Sequence, residues 1–400
     1  MKRILTLLII VAGGITMQAT ALDFGFNLSD TTGLTGTNKR FNIAQANSVE
    51  AFIEFPTGVS SSVYISGEAR FLGLFPVKPK DKAQFRPLSQ AFRLTRTEWA
   101  GNTAFNTLGL QWAVGRTSFN DYSKKILNGL FDGARVGLTI KNADIAFALG
   151  YTGLTYKTDA KIKIDKDDID RINDKNTLLA PQRLFLLLSS SFQELIPSHT
   201  FGIDILAQFD LLKQTGRTHT QYAIPYIHGR IGRNVSWKYW AAVQLGEDSR
   251  FFYSLASGFS MQYFNPHWRY FIITGKLDWA AGDYDGTGAM RSFIPIMDIK
   301  QTVVADATIG RFSDTLTAGL TASIRPVPEL LTELSYLALT SPNTVRAPAY
   351  IGSELSAKIA YRFYDDFDTS LIGGIFVPNK KVITTYNLRW LTKFVFTVYL

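Results

Sequence analysis

The residues that most invite a chemical reading are the four histidines, His199, His219, His228 and His267. Hydrolysis or acyl transfer needs a nucleophile, a base within hydrogen-bond reach and a third group that orients the base. The histidines are scattered over at least three predicted strands, with no such constellation around any of them, so catalysis is not expected. The densest group of carboxylates lies at 157–182, where Asp159, Asp165, Asp167, Asp168, Asp170 and Asp174 interleave with Lys157, Lys161, Lys163, Lys166, Arg171 and Lys175. It lacks the ordered ligand spacing and glycine of a calcium loop, and its lysines would compete with any cation. No metal and no cofactor is expected there. The segment reads as a solvated outer loop, or as a constriction carrying Asp165, Asp167, Asp168 and Asp170 into a channel.

The basic residues offer a second chemistry. Arg70, Arg135, Lys141, Lys238, Lys276, Arg325, Lys358, Arg362, Arg389 and Lys393 occupy positions that alternation assigns to the water-facing side of predicted strands. On the wall of a water-filled channel such groups form a ladder that guides anions. Glu50, Glu54, Glu68, Asp204, Asp278, Glu333 and Glu354 share that side. The balance is mixed, which implies a weak anion preference rather than a polyanion conduit. The positive charge is spread along the chain without a local basic patch, so nucleic acid is not an expected partner.

The elements that must position these residues follow from periodicity. Phe201, Ile203, Ile205, Ala207, Phe209 and Leu211 alternate with Gly202, Asp204, Gln208 and Asp210. Leu316, Ala318, Leu320, Ala322 and Ile324 oppose Thr317, Gly319, Thr321, Ser323 and Arg325; Leu355, Ala357, Ile359, Tyr361 and Phe363 oppose Glu354, Ser356, Lys358 and Arg362. A period of two over about 10 to 14 residues is long for a soluble strand and suits one that crosses a bilayer. In lipid only a closed barrel satisfies every strand hydrogen bond.

Composition and export agree. The chain of 400 residues is 46% hydrophobic and 13% aromatic but only 19% charged, which excludes disorder, and it has no cysteine, which excludes disulfides and thiolate metal sites. Lys2 and Arg3, the apolar run at 5–12 and the small residues Ala19-Thr20-Ala21 read as a secretory signal cleaved after Ala21. Its loss would lower the formal charge of +9 by two.

Short turns are expected at 56–61, 101–104, 141–143, 194–198, 233–234, 265–266, 326–328 and 364–366. Longer connections are expected at 31–45, 75–88, 117–128, 157–182, 283–312, 340–349 and 378–385. Bacterial barrels keep short turns on the periplasmic side. Preserving that alternation makes residues 22–30 the first strand and places the strand-like stretch 297–310 in an outer loop. The result is an all-β transmembrane antiparallel β-barrel of about 18 strands, with 16 as the other count. Residues 22–400 form a single barrel with no plug domain.

This pattern resembles a Gram-negative outer-membrane porin. In the last strand, Trp390, Phe394, Phe396, Val398 and Leu400 alternate with Arg389, Lys393, Thr397 and Tyr399. In that family a terminal alternating strand, usually ending in an aromatic residue, is the signal to the barrel-assembly machinery; here Leu400 follows Tyr399. A narrower stretch, Gly115-Arg116 through Leu127-Asn128-Gly129-Leu130-Phe131-Asp132-Gly133-Ala134-Arg135, resembles the strand end and strand start of alginate-export-type and related 18-stranded barrels. The resemblance implies contact with outer-membrane lipid and passive diffusion of small hydrophilic solutes. The other readings are a barrel whose outer loops bind a ligand or matrix and, further off, an outer-membrane hydrolase. The oligomeric state is left open by the sequence.

Overall fold

Strict alternation of apolar and polar residues gives each strand one face for lipid and one for water, and the structure closes these faces into a tube. The computed structural model describes every residue except 1–21, 38–40, 77–83, 86–91, 175, 213–216, 249, 284–288, 300, 305–311, 343–348 and 383–386. The expected signal segment lies outside the described residues. Eighteen long strands run in chain order: β1 (Asp23–Thr37), β2 (Phe41–Gly58), β3 (Ser61–Pro76), β4 (Phe92–Phe105), β5 (Leu108–Asn120), β6 (Asn128–Ile140), β7 (Ala143–Tyr151), β8 (Arg183–Gln193) and β9 (His199–Asp210). They continue as β10 (His219–Ile231), β11 (Val235–Glu247), β12 (Phe251–Asn265), β13 (Phe271–Ala280), β14 (Thr315–Val327), β15 (Leu330–Ser341), β16 (Ala349–Phe363), β17 (Phe367–Pro378) and β18 (Arg389–Tyr399). Gln84–Phe85 adds a two-residue stub against β3.

Each strand pairs antiparallel with its sequence neighbours, and β1 pairs with β18 from Asn27↔Tyr399 to Thr37↔Arg389, which closes the barrel. Leu400 N donates to Phe26 O and Phe26 N to Leu400 O, so the seam is bonded to the last residue. At one end the connections are two to five residues long; at the other they range from three to 34. Two short helices, α1 (Lys157–Ala160) and α2 (Lys166–Asn173), lie in a long connection.

The expected count of 18 holds, and the described part of 297–310 is loop. Two connections, between Asp210 and His219 and between Glu247 and Phe251, are absent from the expected set, and two expected ones are displaced. The connection expected at 31–45 is mostly strand, since β1 runs to Thr37 and β2 starts at Phe41. Alternation hid it because Asp30, Thr32, Gln45 and Asn47 put polar side chains on the lipid-facing side. The turn expected at 101–104 lies at 106–107, where Asn106 takes the left-handed conformation (φ 51°) that a tight turn requires.

Outward positions carry the large exposed apolar side chains, among them Leu320, Leu334, Leu355 and Phe394. The main buried cluster lies inside the barrel. Phe119, Phe131 and Phe185 form its aromatic centre, with ring centroids 5.1 to 6.3 Å apart. The connections 121–127, 152–182 and 281–314 contribute Ile126, Leu127, Ile162, Ile164, Phe293 and Met297 to it. The described residues of these loops fold back against the inner wall.

Candidate functional site

Three wall anchors hold the inward loops. The first is Arg183, at the start of β8 and fully buried, whose guanidinium lies 2.6 Å from Asp165, 2.9 Å from Asp168 and 3.5 Å from Asp210. Asp165 caps α2 by accepting from Asp168 N (2.9 Å), and Asp168 accepts from Ile164 N (2.8 Å). Burial pushes the Asp168 carboxyl above the ordinary carboxylate range, and Arg183 opposes that shift. Asp167 and Asp170, the other two expected constriction residues, point to solvent. The four aspartates thus divide into two wall anchors and two exposed groups.

The second anchor holds the loop 121–127. Asp121 accepts from Leu127 N (2.6 Å), Ile126 N (3.1 Å) and the Ser123 hydroxyl, folding the loop on itself. Burial pushes the Asp121 carboxyl up, against the pull of those donors. Tyr122 N donates to Asp204 on β9 (2.6 Å), and the Tyr122 ring lies flat on Tyr226 at 3.7 Å. Burial, with Asp204 nearby, pushes the Tyr122 phenol up to about 12, so it stays neutral where it meets His228 Nδ1 at 3.1 Å.

The third anchor spans the lumen. Gln244 on β11 pairs with the backbone of Ile294, accepting from its N–H (2.9 Å) and donating to its carbonyl (3.1 Å). Tyr222 on β10 donates to the same carbonyl (2.6 Å). Further along, Glu354 on β16 accepts from Val303 N (2.7 Å) and Val304 N (2.9 Å). At Gly374 on β17 any Cβ would sit 2.6 Å from Val304 Cγ2, so glycine is what admits the loop there. A barrel of this strand number is roughly 35 Å across between opposite backbones, and the chord from β11 to β16 is about 27 Å. The described residues of 294–304 form a strap between β11 and β16 that turns at 297–299 and packs Met297 against the start of β6. Met297 N donates to Ile126 O (3.1 Å) and Asp298 N to Lys161 O (2.8 Å), tying the three loops into one unit.

Beside this unit the lumen wall is basic. Lys238 and Lys276 face inward in one row, with Ser260 between them, about 10 Å apart by strand spacing. Lys125 reaches from the docked loop to Asp278 (3.0 Å) and lies 5.7 Å from the Phe312 ring centre. Lys358 and Lys393 continue the basic wall on β16 and β18. Lys238, Lys276, Lys358 and Lys393 make no ion pair among the described residues. A recess of about 890 Å³ lies under this region, lined by Tyr122, His199, His228, Trp237, Lys238 and Gln262 among others.

The opposite wall is paired. Glu68 meets Arg70 at 3.2 Å and also Arg93, and Arg93 reaches Asp159 as well. Glu98 meets Arg96 at 2.9 Å and Arg135 at 3.9 Å. The expected ladder is thus divided by height and by partner. Arg70, Arg135, Lys238, Lys276, Lys358 and Lys393 are on the inner wall, Arg325 and Arg362 at the short-turn rim, and Arg389 at the opposite rim. Lys141 does not face the lumen. It occupies the left-handed position (φ 50°) of the turn between β6 and β7 and is exposed, because a two-residue turn directs its side chains to solvent.

Sequence reasoning missed Lys124, Lys125, Arg93, Arg183 and Gln244. Apolar residues inside polar connections were the available signal: Ile126-Leu127, Ile162, Ile164 and Phe293 need a wall to cover them. The Gly-Arg and Phe-Asp-Gly stretches acquire a geometric role. Arg116 binds Asp132 through two parallel bonds (3.1 and 2.8 Å) and donates to the carbonyls of Leu94 and Leu154. Gly115 holds φ 115°, a conformation open only to glycine.

No family model and no curated protein matches the chain. Solved structures do. OccK7 (OpdD) of Pseudomonas aeruginosa superposes with a TM-score of 0.58 at 9% identity, over 96% of this chain and 99% of that one. OpdL of the same organism gives 0.58 at 11% identity over 95% and 98%, and OccK3 (OpdO) gives 0.55 at 12% over 94% and 96%. In fold, this chain is a porin-type barrel similar to the Occ/Opd proteins. The narrower likeness to alginate-export-type barrels has no support in these matches.

Proposed function

We propose that the protein is an outer-membrane channel for passive diffusion of small hydrophilic solutes, with a weak preference for anions. The observation that carries this reading is the closed barrel with three loops docked inside it beside unpaired wall lysines. Loops folded inward narrow a channel; loops that recruit a ligand or matrix project outward, so the docking favours the channel over the surface-anchor reading. Lys238 and Lys276, with Lys124 and Lys125 on the docked loop, lower the energy of an anion passing the narrow part. The paired Glu68 and Glu98 keep the opposite wall close to neutral, which makes the preference weak. Export by the segment 1–21 and insertion through the terminal strand Arg389–Tyr399, read by the barrel-assembly machinery, belong to the same proposal.

The test is a planar bilayer recording of the refolded protein. It should conduct, and its reversal potential in a KCl gradient should lie slightly toward the chloride potential. Replacing Lys124, Lys125, Lys238 and Lys276 with Gln should move it toward potassium. A folded barrel that carries no current would overturn the channel reading, and an unmoved reversal potential would remove these lysines from it.

A further inference from the structure

The lumen wall changes character across β17, β18 and β1–β3. Interior positions of a membrane barrel are polar as a rule. Here the inward row Ile372–Lys393–Gly33–Ala44–Leu74 and the row below it, Val395–Thr31–Ala46–Leu72, are apolar on most strands. Leu72, Leu74, Ile372, Leu391 and Val395 are only half-buried, so they leave hydrocarbon open to the lumen. An apolar patch left to water in this way marks a surface that takes a ligand. The patch is also concave. A recess of about 430 Å³ is bounded by Ala44, Ala46, Leu72, Leu74, Leu391 and Lys393, among others. That size, with a lining of hydrocarbon and one charged group, is shared by small-molecule sites. The strap borders its upper edge, because Val304 packs at Gly374, directly across from Leu391.

Lys393 is the cation of this recess. Its inward neighbours are Leu391 and Val395 along β18 and Gly33 and Ile372 across it, none of them charged. It makes no ion pair among the described residues. Arg70, one row below the patch, is held by Glu68 at 3.2 Å, and Lys358, beyond Ile372 in the same row, lies opposite Glu333. Lys393 therefore presents an ammonium without a counter-charge at one end of a hydrocarbon floor. Three strand spacings, roughly 14 Å, separate it from Leu74 at the other end. A positive group at one end and hydrocarbon along the rest complement a molecule built the same way with the opposite charge.

We propose that this recess binds single-chain amphiphilic anions, with the charged head at Lys393 and the aliphatic chain laid across Gly33, Ala44 and Ala46 towards Leu72 and Leu74. Such ligands lie beyond the small hydrophilic solutes of the channel reading. The inference requires a water-filled lumen but no current, so it stands whether or not the barrel conducts.

The chain has no cysteine, so a single introduced thiol reports on the recess. Ala46→Cys places one on its floor, and Thr321→Cys places a control on the inward face of β14. In refolded protein in lipid nanodiscs at neutral pH, a water-soluble maleimide should label both, and octanoate should slow labelling at Ala46→Cys alone. At about half burial each methylene roughly doubles affinity, so octanoate should half-protect at about a tenfold lower concentration than butanoate. Octyl glucoside, with the same chain and no charge, should protect about fivefold more weakly than octanoate. Adding Lys393→Gln should weaken protection by octanoate about fivefold, the worth of one exposed charge pair. Adding Leu72→Asn and Leu74→Asn should remove the dependence on chain length. Heat-modifiability on a gel checks that every variant is folded, and if the double change prevents folding, Leu72→Ser alone carries that arm. Equal protection at both thiols, equal protection by butanoate and octanoate, or protection indifferent to Lys393→Gln would overturn the proposal. A thiol at position 46 that the reagent cannot reach would overturn it as well, since the wall would then be covered. Failure to conduct would count against the channel reading and not against this one.

Discussion

Replacing Arg183 with Met should undock the 152–182 loop while leaving the barrel closed. Arg183 is fully buried and is the cation for three carboxylates, Asp165, Asp168 and Asp210, all within 3.5 Å. Met fills a similar volume, so the loss is chiefly electrostatic. Removing one partner of a buried ion pair costs about 3 to 5 kcal/mol, because the remaining charge is left without compensation. At 1.4 kcal/mol per tenfold, that lowers the docked population relative to the undocked by roughly 150- to 4,000-fold. The β8 ladder is unaffected, since its backbone pairs with β7 and β9 do not involve the side chain. The cost therefore falls on the loop. Hydrogen exchange should speed up at the amides of Ile164 and Asp168, which donate to Asp168 and Asp165 respectively. The same variant should show larger or noisier single-channel current. Acid should restore part of the docking by removing the unpaired charge. If folding fails, Asp165→Asn with Asp168→Asn probes the same contacts from the loop side. Exchange and current both indistinguishable from the parent, in a folded barrel, would refute the anchor.

Three further outcomes follow from the same geometry. Leu320→Arg should cost about 2 to 4 kcal/mol in a refolding titration if that position lies near the bilayer midplane, and Thr321→Arg far less, because only the former faces lipid; equal costs would show the inside-outside assignment to be wrong. Glu354→Leu removes two charge-assisted bonds to the strap at about 1.5 to 3 kcal/mol each and should raise open-state current noise without changing barrel stability comparably. Asp168 has its carboxyl raised in the docked loop, so it contributes docking stability at low pH that is lost as pH rises through the raised value. Exchange protection of the loop should therefore gain on acidification just above the ordinary carboxylate range, and Asp168→Asn should flatten that gain.

The wall was legible in the sequence where each strand obeys one rule. Over 201–209 in β9, 316–324 in β14 and 355–363 in β16 every second residue is apolar and faces lipid, so the face of Asp204, Thr321 and Lys358 could be read directly. The upper halves of β1 and β2 were not legible, because Asp30, Thr32, Gln45 and Asn47 break the rule on the lipid side. Lys141 was assigned to the wall although it opens the expected turn 141–143, and the structure keeps it in that turn, at the rim.

The docked loops were illegible for a different reason. Alternation describes a chain that meets lipid on one side and water on the other, whereas the described residues of 121–127, 152–182 and 281–314 meet mainly the inner wall and each other. Their order comes from single long-range contacts, such as Arg183 with Asp168, Gln244 with Ile294 and Glu354 with Val303, none of which has a periodic signature. Those contacts decide what the barrel can pass. An open tube roughly 35 Å across would admit almost any small solute and feel its wall charges weakly, since charges more than about 8 Å from an ion are screened at physiological salt. In the proposed channel the inward loops narrow the path on the side of Lys238 and Lys276. In that channel, charges that would be decoration on a wide pore become selective when the loops close in, so loosening Arg183 or Glu354 should weaken the proposed anion preference even though neither touches the solute.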